Sequence, residues 1–144
     1  MTLQPYIYAN DQSRRRTILL VEDEPFVREA TCNILQRAGF EVLPAADAPD
    51  AMEIYEQRQP SIDLVITDMV LPGATGQQLG QDLRQRSPEV KVLVTSGYGN
   101  PEYNGEAPES HTYFLAKPYS RRTLLEKIEQ ILEVTLALPA TQVG

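Results

Sequence analysis

Five positions in this sequence carry side chains that could do chemistry together: Glu22, Asp23, Asp68, Thr95 and Lys117. Each follows a short apolar run, so each stands where a strand would end. Three carboxylates brought together repel one another, and one lysine offsets only part of that charge. A hard divalent cation removes the conflict. Mg²⁺ prefers octahedral oxygen coordination, keeps several waters, and uses one or two carboxylates plus a phosphate oxygen. With a cation and the ammonium in place, a carboxylate can attack a phosphoryl group and hold it as an acyl phosphate. The hydroxyl, the ammonium and backbone N–H groups of the surrounding loops would bind the phosphoryl oxygens.

The elements that must position these residues follow from the apolar pattern. Thr17-Ile18-Leu19-Leu20-Val21 is apolar on both faces, as a strand buried in a parallel sheet requires, and stops at Glu22. Pro25 suits the first turn of a helix in which Val27, Ala30, Thr31, Ile34 and Ala38 recur at helical spacing before Gly39. Phe40–Leu43 reads as a second, weaker strand nearer an edge. A helix over Asp47–Arg58 follows, capped by Asp47, with Ala51, Ile54 and Tyr55 inward. Ile62–Thr67 is the third strand, closed by Asp68, and Gly76–Arg86 the third helix, holding Leu79 and Leu83. Val90–Thr95 is the fourth strand and Thr112–Ala116 the fifth, ending at Lys117-Pro118. Ser120 caps a last helix with Leu124, Leu125, Ile128, Ile131 and Leu132 as its apolar stripe. Strands alternating with helices mean βαβ units and a mostly parallel sheet covered on both faces. In such a sheet the C-terminal strand ends share one rim, where ligands bind. Between strands four and five, Gly97–Ser110 holds three glycines and two prolines. That composition predicts a short helix or an irregular loop.

The 144 residues make one domain, with 42% hydrophobic and 23% charged side chains. Thirteen basic against twenty acidic residues give a net charge of −7, which argues against direct nucleic-acid binding. Cys32 is the single cysteine, which forbids an intramolecular disulfide and fits a reducing compartment. No apolar run approaches the roughly 20 residues of a membrane span. The N-terminus lacks the basic and apolar regions of a signal peptide. The expectation is a soluble, cytoplasmic protein with a flexible tail over 1–16, a domain over 17–134 and a C-terminal tail over 135–144.

Four segments in order, Ile18–Pro25, Asp68–Gly73 with Gly76, Val94–Tyr98 and Phe114–Pro118, resemble the receiver (response-regulator) domain of two-component signalling. Their wording is most similar to receivers associated with hybrid histidine kinases. The resemblance implies a flavodoxin-like sheet of order 2-1-3-4-5, with the fourth helix eroded here. It implies Asp68 as phosphoacceptor, and Mg²⁺, or Mn²⁺ in its place, held by Glu22, Asp23, Asp68 and the Val70 backbone carbonyl. Thr95 and Lys117 would bind the phosphoryl group, with the backbone N–H groups of Met69 and Ser96 completing the cradle. Phe114 would be the aromatic switch, and the Lys117-Pro118 peptide would be cis. The implied donor is a sensor histidine kinase or a histidine phosphotransfer domain. Residues 135–144 are too few for an effector unit, so output would pass through an unidentified downstream protein, or the chain would be a fragment of a larger hybrid kinase. A homodimer is one arrangement open to such a domain. The module would not be an enzyme, beyond self-phosphorylation from small donors and autodephosphorylation. Val70 and Gly97 cannot orient a hydrolytic water, so dephosphorylation should not be unusually fast.

Blander readings exist for each part. Glu22-Asp23-Glu24 would favour any helix N-terminus, and Asp68 before Pro72-Gly73 is an ordinary turn residue. Arg14-Arg15-Arg16 reads as a solvated lead-in, Cys32 as a small helix residue, and His111 as exposed and without a metal cluster. Two other functions stay open at this point. One is a pseudo-receiver that kept the fold and lost the chemistry. The other is a Mg²⁺-dependent aspartyl phosphatase, which needs a second aspartate where this chain has Val70.

Overall fold

A computed structural model of the chain describes residues 15–97 and 111–134. Its centre is a five-stranded parallel sheet: β1 (Thr17–Val21), β2 (Glu41–Ala45), β3 (Leu64–Asp68), β4 (Val92–Ser96) and β5 (Thr112–Ala116). The strand order is β2-β1-β3-β4-β5, the order expected of the flavodoxin-like arrangement. β1 and β3 are buried along their whole lengths, which explains their continuous apolar runs. Helices α1 (Pro25–Arg37), α2 (Ala48–Arg58), α3 (Gly76–Arg86) and α4 (Arg121–Leu132) cover the two faces.

Side-chain alternation splits the core into two layers. Ile18, Leu20, Leu64, Ile66 and Leu93 meet Leu35 of α1 and Leu124, Leu125, Ile128 and Ile131 of α4. Leu19, Val21, Val65, Val92 and Val94 meet Ala51 and Tyr55 of α2 and Leu79 and Leu83 of α3. Each fully buried leucine contributes roughly 1.5–3 kcal/mol relative to an exposed one.

Several helix boundaries follow local chemistry. Asp47 caps α2, accepting from the Asp50 N–H at 2.9 Å. Thr75 and Gln78 form a reciprocal capping box at the start of α3. Ser120 caps α4 through the Thr123 N–H at 3.0 Å, and Lys91 Nζ donates to the Ile131 carbonyl near its other end.

Four expectations need correction. The inward face of α1 centres on Thr31 and Leu35, while Val27 and Ala30 are exposed. Arg28 occupies the inner position one turn before Thr31, so the apolar count alone placed the stripe one edge too far round. β2 extends through Pro44 to Ala45, and Phe40 is buried ahead of it. Proline is tolerated there because β2 lies at the edge of the sheet. Ile62 and Val90 are likewise buried ahead of strands that begin two residues later. His111 is half-buried rather than exposed: it has φ 65°, and its carbonyl accepts the Val92 N–H at 2.9 Å. The expected short helix or irregular loop after β4 lies outside the described residues.

Candidate functional site

The C-terminal ends of β1, β3, β4 and β5 share one rim, as a parallel sheet requires. An open cleft of ≈ 250 Å³ there is lined by Asp68, Met69, Val70, Thr95, Ser96, Gly97 and Lys117. β3 and β4 pair Asp68 with Thr95 directly, and the Thr95 hydroxyl donates to Asp68 Oδ1 at 3.0 Å. Lys117 Nζ donates to the same oxygen at 2.7 Å and to Glu22 Oε1 at 3.3 Å. Carboxylate oxygens of Glu22, Asp23 and Asp68 lie within 4.8 Å of one another. Glu22 and Asp68 are buried and Asp23 is exposed, so the cluster is open to solvent on one side.

The electrostatics follow from that crowding. Burial, and then the hydrogen bond and charge of Asp68, push the Glu22 carboxyl up to about 7, against smaller opposing effects of the Glu24 N–H and Lys117. Burial works against the Lys117 ammonium, but the hydrogen bonds and charges of Asp68 and Glu22 outweigh it and hold Lys117 above its ordinary range. Two neighbouring carboxyl groups, one driven towards protonation, form a donor set that a divalent cation would relieve. Glu22, Asp23 and Asp68 therefore fit a hard cation.

The surrounding loops show what holds these groups. Val70–Leu71 and Ala74–Thr75 form a small antiparallel ribbon around Pro72-Gly73, with Gly73 at φ 76°. Pro72-Gly73 signals the turn in the sequence, whereas strands of two residues leave no periodic signal. Val70 is 70% exposed on it. The Lys117-Pro118 peptide is cis, and the Lys117 N–H donates to the Ser96 carbonyl at 2.7 Å. Phe114, on β5, is half-buried against the layer beneath α2 and α3.

One expected donor is already engaged. The Met69 N–H, assigned to the phosphoryl cradle, donates to the Thr95 carbonyl at 2.8 Å. It continues the β3–β4 ladder one residue past the strand, so it is not a free donor in the cleft. Arg28 was not singled out from sequence. Its Nη1 donates to the Glu22 carbonyl at 2.7 Å. Helical side chains tilt towards the helix N-terminus, so an arginine one turn into α1 reaches back to the end of β1. That placement is the signal that could have found it. Thr31 Oγ1 and Tyr119 Oη meet at 3.4 Å, tying α1 to the loop after β5.

Comparison with known proteins gives a consistent picture. The family model described as the response regulator receiver domain matches residues 18–129. The chain is similar to sensor kinase CckA of Brucella abortus (strain 2308), 36% identical over 126 residues, covering 87% of this chain and 13% of that kinase. It is similar to the phosphate regulon transcriptional regulatory protein PhoB of Escherichia coli (strain K12), 30% identical over 120 residues, covering 81% of this chain and 52% of that regulator. The chain thus spans at most about half the length of these relatives. Among solved structures, the receiver domain of the hybrid histidine kinase CckA superposes with a TM-score of 0.69 at 35% identity, covering 81% of this chain and 98% of that one. A response regulator receiver domain protein from Clostridium thermocellum gives a TM-score of 0.76 at 26% identity, covering 82% of this chain and 94% of that one.

Proposed function

The chain belongs to the response regulator receiver domain family of two-component signalling, and on that premise we propose that it is a working phosphoacceptor with Asp68 as the acceptor. The observation that carries the reading is the convergence of Lys117 Nζ and Thr95 Oγ1 on one oxygen of Asp68, at 2.7 and 3.0 Å, beside a carboxylate cluster. A carboxylate oxygen of Asp68 attacks the phosphorus of a phosphohistidine donor, and the histidine nitrogen leaves with the P–N electron pair. Lys117 then turns from the aspartate oxygen to the phosphoryl oxygens, and Thr95 makes the same exchange of partners. Glu22 and Asp23, with Asp68 and the Val70 carbonyl, would hold Mg²⁺ or Mn²⁺. That cation would supply charge neutralisation between the carboxylates and the incoming phosphoryl group. The Ser96 N–H adds a donor to the cradle, and the loss of the Thr95–Asp68 bond is what Phe114 would sense.

Receiver domains are in general signalling modules rather than enzymes, and we assign this one no turnover chemistry beyond self-phosphorylation and autodephosphorylation. The phosphatase reading needs an acid two residues after the acceptor, and Val70 has none. We place the functional unit at residues 17–134. Its donor would be a sensor histidine kinase or histidine phosphotransfer domain, and its output a downstream protein. No helix among the described residues is long and apolar enough to cross a membrane; the cytoplasmic site of action we assign rests on the receiver family and its histidine-kinase donor. Intact-protein mass spectrometry after incubation with Mg²⁺ and acetyl phosphate tests the proposal. One phosphoryl adduct is expected, lost with EDTA and in Asp68→Asn. Binding of Mg²⁺ without any adduct, from acetyl phosphate or from phosphohistidine donors, would instead mark a pseudo-receiver.

A further inference from the structure

The Asp68 side chain is held by Thr95 and Lys117, but its main chain has supports of its own on the α3 side of β3. Thr67 is fully buried, and its hydroxyl donates to the Asp68 carbonyl at 3.0 Å. Every other described residue of β3 before the acceptor is apolar. A valine would fill the Thr67 site without a hydroxyl to satisfy, so the hydrogen bond is the feature that threonine adds. Gly76, the first residue of α3, approaches the same carbonyl. A Cβ placed there would stand 2.3 Å from the Asp68 oxygen and 3.1 Å from Thr67 Cγ2. The nearer atom is backbone, so no flexible side chain can move aside. The Gly76 N–H also donates to the Met69 carbonyl at 2.7 Å. Two consecutive carbonyls, at the acceptor and just after it, are thereby clamped against the start of α3.

We propose that Thr67 and Gly76 are positioning residues for the phosphoacceptor. The Thr67 hydroxyl and the bare Cα of Gly76 fix the Asp68 carbonyl, and through it the Cα from which the carboxylate reaches Thr95 and Lys117. The inference rests on Asp68 being the acceptor. Its cause is geometric. β3 ends at Asp68, and the chain leaves for the exposed ribbon two residues later. The ladder holds the N–H side of that last peptide through Met69, while its carbonyl side is held from outside the ladder by the Thr67 hydroxyl. In-line attack tolerates little error: a misplacement of about 1 Å costs on the order of 10²-fold in rate.

The test uses the full chain as Thr67→Val, Thr67→Ser, Gly76→Ala, Asp68→Asn and wild type. Phosphorylation by acetyl phosphate with Mg²⁺ is followed across donor concentrations, and each variant's thermal midpoint is recorded. Thr67→Val should stay folded and melt somewhat lower than wild type, since the Asp68 carbonyl loses a buried donor. Its maximal rate should fall on the order of tenfold with an unchanged half-saturating donor concentration. Thr67→Ser, which keeps the hydroxyl, should recover most of that rate. Gly76→Ala should lose about 10²-fold; if it does not fold, Thr67→Val still decides. The proposal is overturned if Thr67→Val stays within about twofold of wild type, if the serine variant loses as much as valine, or if only the half-saturating concentration moves. A wild-type chain that takes no Asp68-dependent adduct would overturn the acceptor reading itself. That result differs from a phosphorylated wild type with an equally active Thr67→Val, which overturns this inference alone.

Discussion

Glu22 offers a thermodynamic handle on the acidic cluster that needs no phosphodonor. Its carboxyl is raised from 4.5 to about 7, by burial first and the neighbouring Asp68 second, and its side chain is only 6% exposed. A folded-state value above the unfolded one means that the folded state binds the extra proton between those limits. The stabilisation is complete below about pH 4.5 and is lost as pH rises through about 7. The shift corresponds to about 3 kcal/mol. For a chain of this size that is on the order of 10 °C in the thermal midpoint. Wild type and Glu22→Gln should therefore be melted in EDTA from about pH 5 to pH 8. The variant should gain on wild type steadily across that range, because its side chain cannot ionise. Mg²⁺ should act in the opposite sense. It competes with the proton, so the stabilisation it gives wild type should grow with pH. A difference between the two proteins that is flat in pH would refute the reasoning, as would a wild type that gains on the variant as pH rises.

Other expectations are more local. Lys117→Ala leaves Asp68 and Glu22 without their cation, so phosphorylation by acetyl phosphate should fall on the order of 10²-fold and metal-free stability by about 2 kcal/mol; rapid-quench kinetics and urea unfolding check the two. Leu35→Ala opens a void in the layer beneath α1 and α4, where Leu35 is 0% exposed; urea melts should show a loss of about 2–5 kcal/mol with an unchanged slope. Thr75→Ala removes the capping box that starts α3 and should cost about 1 kcal/mol in the same assay.

The parts of this molecule most legible in its sequence are those fixed by short-range pattern. β1 and β3 are buried on both faces, so their apolar runs announce them, and the polar residue that ends each run marks the rim. The stripe of α4 was readable because five apolar residues at helical spacing leave one choice of face, and all five are buried. α1 was harder. Arg28 occupies an inner position for a polar purpose, and Val27 sits outside at 36% exposure, so hydrophobicity alone rotated the helix. The ribbon at Val70–Thr75 escaped because strands of two residues carry no periodicity. Side-chain identity located the site, but it could not show that the Met69 N–H is used within the sheet. Nor could it show that Gly76 touches the acceptor's carbonyl, since both depend on how α3 packs against β3.

The most direct test of the account is to map where the phosphoryl group goes. Protein treated with acetyl phosphate and Mg²⁺ is reduced with borohydride, which converts an aspartyl phosphate to homoserine, and is then sequenced by tandem mass spectrometry. Homoserine at position 68, absent when the donor or Mg²⁺ is withheld, is the predicted result. Homoserine at another aspartate, or a phosphoryl adduct that survives reduction on a serine, threonine or histidine, would contradict it.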